Sequence, residues 1–364
     1  MIETLLNDCK GARIIDANCN IFDARRLFQS LMDRDRDSKR AGITPKDVFE
    51  VPLKVHFEYT SQCNMDCLFC YNTSSTSREQ GLDTDEIVRT IEEMAVIGVM
   101  EVGLSGGEVF CDQKLLLRII KMLNDHSIAI SIKTNGWFLN ERTVEKLSPY
   151  TFQSIDVSID GSSETVHDRM RAKPGSWRKA IHALKLLKEA GVYSKAACLV
   201  TGENVESLED YIDLCFYLGA KEVMFTPCIM FGRAAQNKDR MGLTEQQFEE
   251  ASSIIVRKHL QYRGFMKTYL ALDFGYEILS KVLLTQNSCV IRSDGSVHPS
   301  CLIPISFGNI RDQKLKDIWN SGLNRLLTKK EVQDFVSTLK FEKTATLRLL
   351  RTSLTQDVVH CYHA

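Results

Sequence analysis

Residues 58–72 read EYTSQCNMDCLFCYN and place Cys63, Cys67 and Cys70 within eight positions, between an alternating apolar run and a Ser-rich stretch. The chain holds twelve cysteines in 364 residues. At that density, two further cysteines at fixed offsets from a first arise by accident about once in a hundred sequences. Buried core thiols do not account for the triplet, because the intervening Asn64, Met65, Asp66, Leu68 and Phe69 leave the three thiols on no common helical or strand face. A three-ligand zinc site is the other reading, but zinc sites more often pair two C-x2-C units, and no second pair completes a tetrahedral set. An iron-sulfur cubane with three thiolate ligands and one open iron fits the spacing better, since soft thiolates select such clusters.

Outward from the loop the chain alternates. LKVHFEYT (53–60) sets Leu53, Val55, Phe57 and Tyr59 on one face and reads as a strand running into the cysteines. A helix follows from an Asp83 or Thr84 cap to near Gly98, with Ile87, Ile91, Met94 and Ala95 as its apolar stripe. The pattern then repeats through strands MEVGLSGGE, IAISIKTNG, SIDVSID, VYSKAACLV and KEVMFT, separated by helical stretches. Six strands alternating with helices require parallel pairing through right-handed crossovers, hence an α/β barrel or an open doubly wound sheet. Either form gathers sites at the carboxyl ends of its strands, where the cysteine loop, SGGE, KTNG and SIDG all fall.

Each of those motifs also has an ordinary reading. Gly106 and Gly107 let backbone approach a ligand closely, and Glu108 supplies an acceptor beside them, although a plain turn with a solvated acid has the same sequence. Ser158 and Asp160 end a strand and could hold hydroxyls, or form a simple Asp-Gly turn. Arg171 could meet a carboxylate, or be solvated surface.

Composition limits the function classes. The formal net charge is −1, which gives no electrostatic footprint for nucleic acid or for an anionic membrane. The opening MIETLLNDCK lacks a basic segment followed by an apolar one, and no apolar run approaches membrane-spanning length, so a cytoplasmic protein is expected. In a reducing compartment the twelve cysteines are no disulfide framework.

The loop C-x3-C-x2-C, with Phe69 before its last thiol and Tyr71 after it, together with LSGGE, KTNG, VSIDG and RMRAKPGSW, resembles the radical S-adenosylmethionine superfamily. The likeness runs from about Leu53 to Arg233, where FGRA resembles the end of that family's barrel. It implies a partial (βα)6 TIM-like barrel over residues 53–235. Cys63, Cys67 and Cys70 would hold a [4Fe-4S] cluster whose fourth iron takes S-adenosylmethionine. It implies further that Glu108 meets the ligand's amino group, Ser158 and Asp160 its ribose region, Arg171 its carboxylate and the backbone near Tyr71 its adenine, with Gly106, Gly107 and Asn135 lining the pocket. The resemblance also implies reductive cleavage to a 5′-deoxyadenosyl radical that abstracts hydrogen from substrate. The electron would come from a donor such as a flavodoxin or ferredoxin.

Beyond the barrel, CVIRSDGSVHPSC (289–301) brackets an Asp294-Gly295 turn with short alternating runs, a strong hairpin signature that brings Cys289 and Cys301 towards each other. With FGNIRDQKLKDIW it resembles the SPASM and twitch extensions of the same superfamily, an α+β region over 236–364 that implies an auxiliary iron-sulfur cluster. The sequence departs from the SPASM pattern downstream, where only Cys361 remains, flanked by His360 and His363. Cys361 is the third candidate ligand; two leftover thiols in a shrunken hairpin are the alternative. Cys198 and Cys215 read as core, and Cys228 lies at the barrel mouth. Residues 1–52, with the mixed-charge run MDRDRDSKR, read as a lid or docking element.

Three functions remain open on the sequence: modification of a peptide or protein side chain, chemistry on a small metabolite, and a non-catalytic iron-sulfur scaffold. The clustering of Glu108, Asn135-Gly136 and Ser158 around the thiols argues against the last, because a scaffold needs no cofactor pocket.

Overall fold

The structure is a computed structural model that describes residues 49–76, 81–228, 230–270, 286–301, 303 and 305–328, and the backbone of a short antiparallel pair, β1 (Arg13–Ile15) and β2 (Ile21–Asp23). Cys9, Cys19 and Cys361 lie outside the described residues.

The six anticipated strands form in order: β3 (Lys54–Thr60), β4 (Glu101–Gly106), β5 (Ala129–Thr134), β6 (Ser154–Ser158), β7 (Ser194–Val200) and β8 (Glu222–Pro227). Each pairs in parallel with the next. The crossovers carry helices α1 (Thr84–Ile97), α2 (Gln113–Asp125), α3 (Glu141–Leu147), α4 (Glu164–Arg171), α5 (Ser176–Glu189) and α6 (Leu208–Leu218). Helix α1 begins where the sequence placed it, with Asp83 and Glu86 forming a reciprocal capping box. Helix α4 is not anticipated from the sequence; it is eight residues long and mostly polar, which leaves little periodic signal.

The sheet is wider than six strands. After α7 (Arg233–Gln236), α8 (Lys238–Met241) and α9 (Glu245–Gln261), strand β9 (Lys267–Leu270) pairs in parallel with β8. Strand β10 (Ser288–Ile291) pairs in parallel with β3, and β11 (Val297–His298) turns back antiparallel against it through the expected hairpin. The spatial order is β11-β10-β3-β4-β5-β6-β7-β8-β9. Both outer additions come from residues that the sequence reading assigned to the C-terminal region. Helix α10 (Leu315–Asn320) then packs on α1 and is pinned to the chain ahead of β3, where the buried Trp319 donates its indole N–H to the Phe49 carbonyl at 2.8 Å.

Parity explains which residues reach the site. Val55, Val102, Leu104, Ile130, Ile132, Val157, Ala196, Val223 and Phe225 point outward into one apolar core with the helices. Their neighbours His56, Ser131, Lys133, Ser158, Lys195, Ala197, Met224 and Thr226 face inward and keep solvent exposure. The inner face is therefore open and polar while the outer face supplies the burial. No helix among the described residues is long and apolar enough to cross a membrane.

Candidate active site

Strand β3 delivers the chain to the carboxyl edge of the sheet, and the cysteine loop begins as it leaves. Two glycines seat the loop. Gly106, at φ +124°, would bring a Cβ to 2.2 Å from the Thr60 carbonyl, and Gly107 one to 2.1 Å from that of Gln62. The amides of Gly107 and Glu108 donate to those same carbonyls at 2.7 and 2.8 Å. The glycines thus make room for the cysteine loop itself, a backbone-to-backbone approach within the protein.

The loop is tied at further points. The Cys63 amide donates to the Ser75 carbonyl at 2.7 Å, the Leu68 amide donates to the Met170 carbonyl at 2.9 Å, and the Met65 side chain is fully buried. Asn135, at the end of β5, donates from Nδ2 to Asn64 Oδ1 at 2.9 Å and accepts the Trp137 amide on Oδ1. Asn64 Nδ2 is buried with no partner among the described residues.

Glu108 is buried, and its carboxylate ties β4 to β5. Oε1 accepts from the Thr134 hydroxyl at 2.7 Å and the Phe110 amide at 3.1 Å, and Oε2 from the Asn135 amide at 2.7 Å. Burial pushes its pKa up, and these three donors counter that in part. A carboxylate offers about four lone-pair sites, which leaves one open for an ammonium.

Asp160, just past β6, is held between Arg171 and β7. Its Oδ2 takes the Arg171 guanidinium at 2.6 and 2.7 Å, and its Oδ1 takes the Leu199 amide at 2.8 Å. Both groups are buried, and the Asp160 carboxylate holds Arg171 in place. His167 and Asn204, neither of them singled out from sequence, hold Asp160 in turn. Nδ1 of the fully buried His167 accepts its amide at 3.0 Å, and Asn204 donates to its carbonyl at 2.9 Å. Burial, with Arg171 adding, lowers the His167 pKa well below its usual value. Ser158, half-exposed at the end of β6, makes no side-chain hydrogen bond among the described residues and remains available to a ligand.

Arg171 lies over the Phe69 ring at 5.2 Å, with Nη1 4.0 Å from the Cys67 sulfur. Burial opposes its charge, and the Asp160 carboxylate more than offsets this and raises its pKa. Tyr71 keeps its ring partly exposed and donates its hydroxyl to the buried Glu58, whose other oxygen accepts from Asn72 at 2.9 Å.

Burial pushes Cys63 up to about 11 and Cys67 up to about 12, and the neighbouring loop thiols add to both in the same sense. The Met65 amide aimed at the Cys63 sulfur acts in the opposite sense. Buried thiolates therefore need a cationic partner beyond Arg171, which bound iron supplies. Among the described residues no three His, Cys, Asp or Glu converge as ligands to a single ion. A cubane makes no such demand, because each thiolate holds a different iron. The donor set fits a [4Fe-4S] cluster. Cys111, in the short turn Val109–Asp112, lies near Cys63 and Glu108 and was missed, since nothing local in VFCD marks it.

The remaining candidates separate. Cys289 is fully buried; its register partner is Val55, so it points into the apolar core. Cys301 is half-buried near Tyr71, and its carbonyl accepts from Arg292 at 3.3 Å. The hairpin forms, but it gives its two thiols different surroundings. Cys198 and Cys215 are core. Cys228 is half-buried past β8, its amide donating to the Val200 carbonyl at 3.2 Å.

A trithiolate loop at the mouth of an open parallel barrel, beside a buried carboxylate and a clamped guanidinium, defines a cofactor-dependent iron-sulfur enzyme. Residues 57–215 match the radical SAM superfamily and residues 284–337 match SPASM, an iron-sulfur cluster-binding domain, so the chain carries a radical SAM domain followed by a SPASM segment. Its cofactors are a [4Fe-4S] cluster and S-adenosylmethionine, and the SPASM match supports an additional iron-sulfur cluster. The chain is 28% identical over 295 residues to an AdoMet-dependent heme synthase of Methanosarcina barkeri, covering 74% of this chain and 83% of that protein. It is 25% identical to the sporulation killing factor maturation protein SkfB of Bacillus subtilis, covering 74% of this chain and 65% of SkfB, just under two thirds. It is also 25% identical to the PqqA peptide cyclase of Ruegeria pomeroyi, with 77% of each covered. In fold it resembles Streptococcus suis SuiB bound to its precursor peptide SuiA, at a TM-score of 0.64, 13% identity, and 89% and 75% coverage of the two chains.

Proposed function

We propose that this enzyme modifies a side chain of a peptide or protein. The observation that carries the reading is the open inner face of the sheet beside the cysteine loop. There Lys133, Ala197, Met224 and Thr226 remain accessible to a substrate. The SPASM match and the similarity to a peptide cyclase and a killing-factor maturation protein support it.

Cys63, Cys67 and Cys70 would hold the cluster, Glu108 the amino group of S-adenosylmethionine, Arg171 its carboxylate and Ser158 its ribose. Asp160 and Asn135 would keep Arg171 and the loop in place. The bound cofactors supply a 5′-deoxyadenosyl radical able to take hydrogen from an unactivated carbon. The protein's part is to orient the substrate carbon, exclude water and oxygen, and receive an electron from a flavodoxin or ferredoxin in the cytoplasm.

Anaerobically reconstituted protein is incubated with S-adenosylmethionine, a low-potential reductant and the peptide products of neighbouring genes. A mass change in one peptide is the expected result. The relationship to a heme synthase favours a second reading, a small-metabolite substrate. Cofactor turnover with every peptide returned unmodified would select it.

A further inference from the structure

The cysteine loop is also gripped from behind, by residues that follow the last of the six central barrel strands. Arg233 opens α7. Its amide donates to the Cys70 carbonyl at 3.0 Å, its Nε to the Cys67 carbonyl at 2.8 Å and its Nη2 to the Ser74 carbonyl at 2.9 Å. Asn237, one turn on, donates from Nδ2 to the Leu68 carbonyl at 3.1 Å. Four carbonyls of one loop, two of them on cluster cysteines, are thus bound by a five-residue segment. Gly232 sets the approach: at φ +55°, a Cβ there would stand 2.5 Å from the Tyr71 carbonyl and 2.6 Å from that of Cys70. Backbone on both sides leaves nothing that can yield.

Arg233 makes no ion pair among the described residues. Its charge therefore serves the carbonyls alone. A loop that turns three sulfurs towards iron directs carbonyls elsewhere, and buried carbonyls need donors. A planar guanidinium can bind two of them in a fixed geometry, which an ammonium on a flexible stem cannot.

We infer that Arg233 and Asn237 are positioning residues, a latch from the exit of β8 that fixes the cysteine loop in its cluster-holding conformation. The inference rests on the reading that Cys63, Cys67 and Cys70 hold the cluster. It adds that the loop's shape is imposed by the protein before iron arrives. It also places a fixed positive charge behind the thiolates, which favours the more negative, reduced cluster.

The test uses the full chain as wild type, Arg233→Met, Arg233→Lys and Asn237→Ala. In metal-free protein, amide hydrogen exchange is followed by peptide. Arg233→Met should speed exchange across residues 63–75 about tenfold or more, with the strand and helix amides of the barrel unchanged. In reconstituted protein, iron loss to a chelator should accelerate by a similar factor, and the cluster's midpoint potential should fall. Arg233→Lys, which keeps the charge without the fork, should restore the potential but not the slow exchange. Asn237→Ala should show a smaller, local acceleration and serves as the decisive variant if Arg233→Met does not fold. Loop exchange and iron retention equal to wild type, or acceleration spread evenly over the barrel, would overturn the latch. Failure of the wild type to bind iron at the three cysteines would overturn the cluster reading instead, while the metal-free exchange still decides the latch.

Discussion

The cysteine loop and the C-terminal hairpin were both read from cysteines at suggestive spacing, and the protein treats them differently. In the loop, the thiols leave the end of a strand, where the backbone is free to turn each sulfur towards a common volume. In the hairpin, Cys289 is inside a strand whose pairing with β3 sends it to the core beside Val55. Spacing is informative on a loop; within a strand, parity decides where a thiol points.

The largest effect that sharpens this contrast is on iron. Replacing Cys63, Cys67 and Cys70 by Ala should remove about four irons per chain after anaerobic reconstitution, one cubane's worth. Cys289→Ala should remove none. Loss of iron on changing Cys289 would break the comparison and give the hairpin a ligand.

Carboxylates give the next contrast. Asp160→Asn leaves a buried guanidinium without its counter-charge, so urea unfolding should report a loss of about 3–5 kcal/mol. Asp294→Asn, at the exposed hairpin turn where the Asp294 carboxylate accepts from the Ser296 amide and hydroxyl, should cost less than about 1 kcal/mol. Equal costs would mean that the Arg171 clamp contributes no more than a surface turn. Gly107→Ala forces a Cβ against the Gln62 carbonyl. It should cost on the order of 1–3 kcal/mol and lower iron retention.

The smallest expected effect is on pH. His167 is held neutral in the fold, whereas the unfolded chain binds its proton near pH 6.5. The unfolded state then carries more protons below that pH, so stability falls as pH drops through about 6.5 and below. His167→Gln should flatten the slope between pH 7 and 5 in thermal melts, and an unchanged slope would place the titration elsewhere.

Much of this was legible in sequence because the signals are local. The alternation in β3 to β8, the Asp83 cap and the cysteine spacing each lie within one window of the chain. What escaped depends on partners far away. The register of β10 is set by β3, more than 200 residues earlier. Asp160 is claimed by Arg171 and Leu199, and Gly107 by the Gln62 carbonyl. In each case the residue type was noticed, and its partner could be known only from the fold.

The central claim is that the loop of Cys63, Cys67 and Cys70 turns over S-adenosylmethionine. It is tested most directly by measuring 5′-deoxyadenosine formed by anaerobically reconstituted protein supplied with S-adenosylmethionine and dithionite. The wild type should form it and the triple Ala variant none, with Cys289→Ala matching wild type. Equal 5′-deoxyadenosine from wild type and the triple variant would contradict the account.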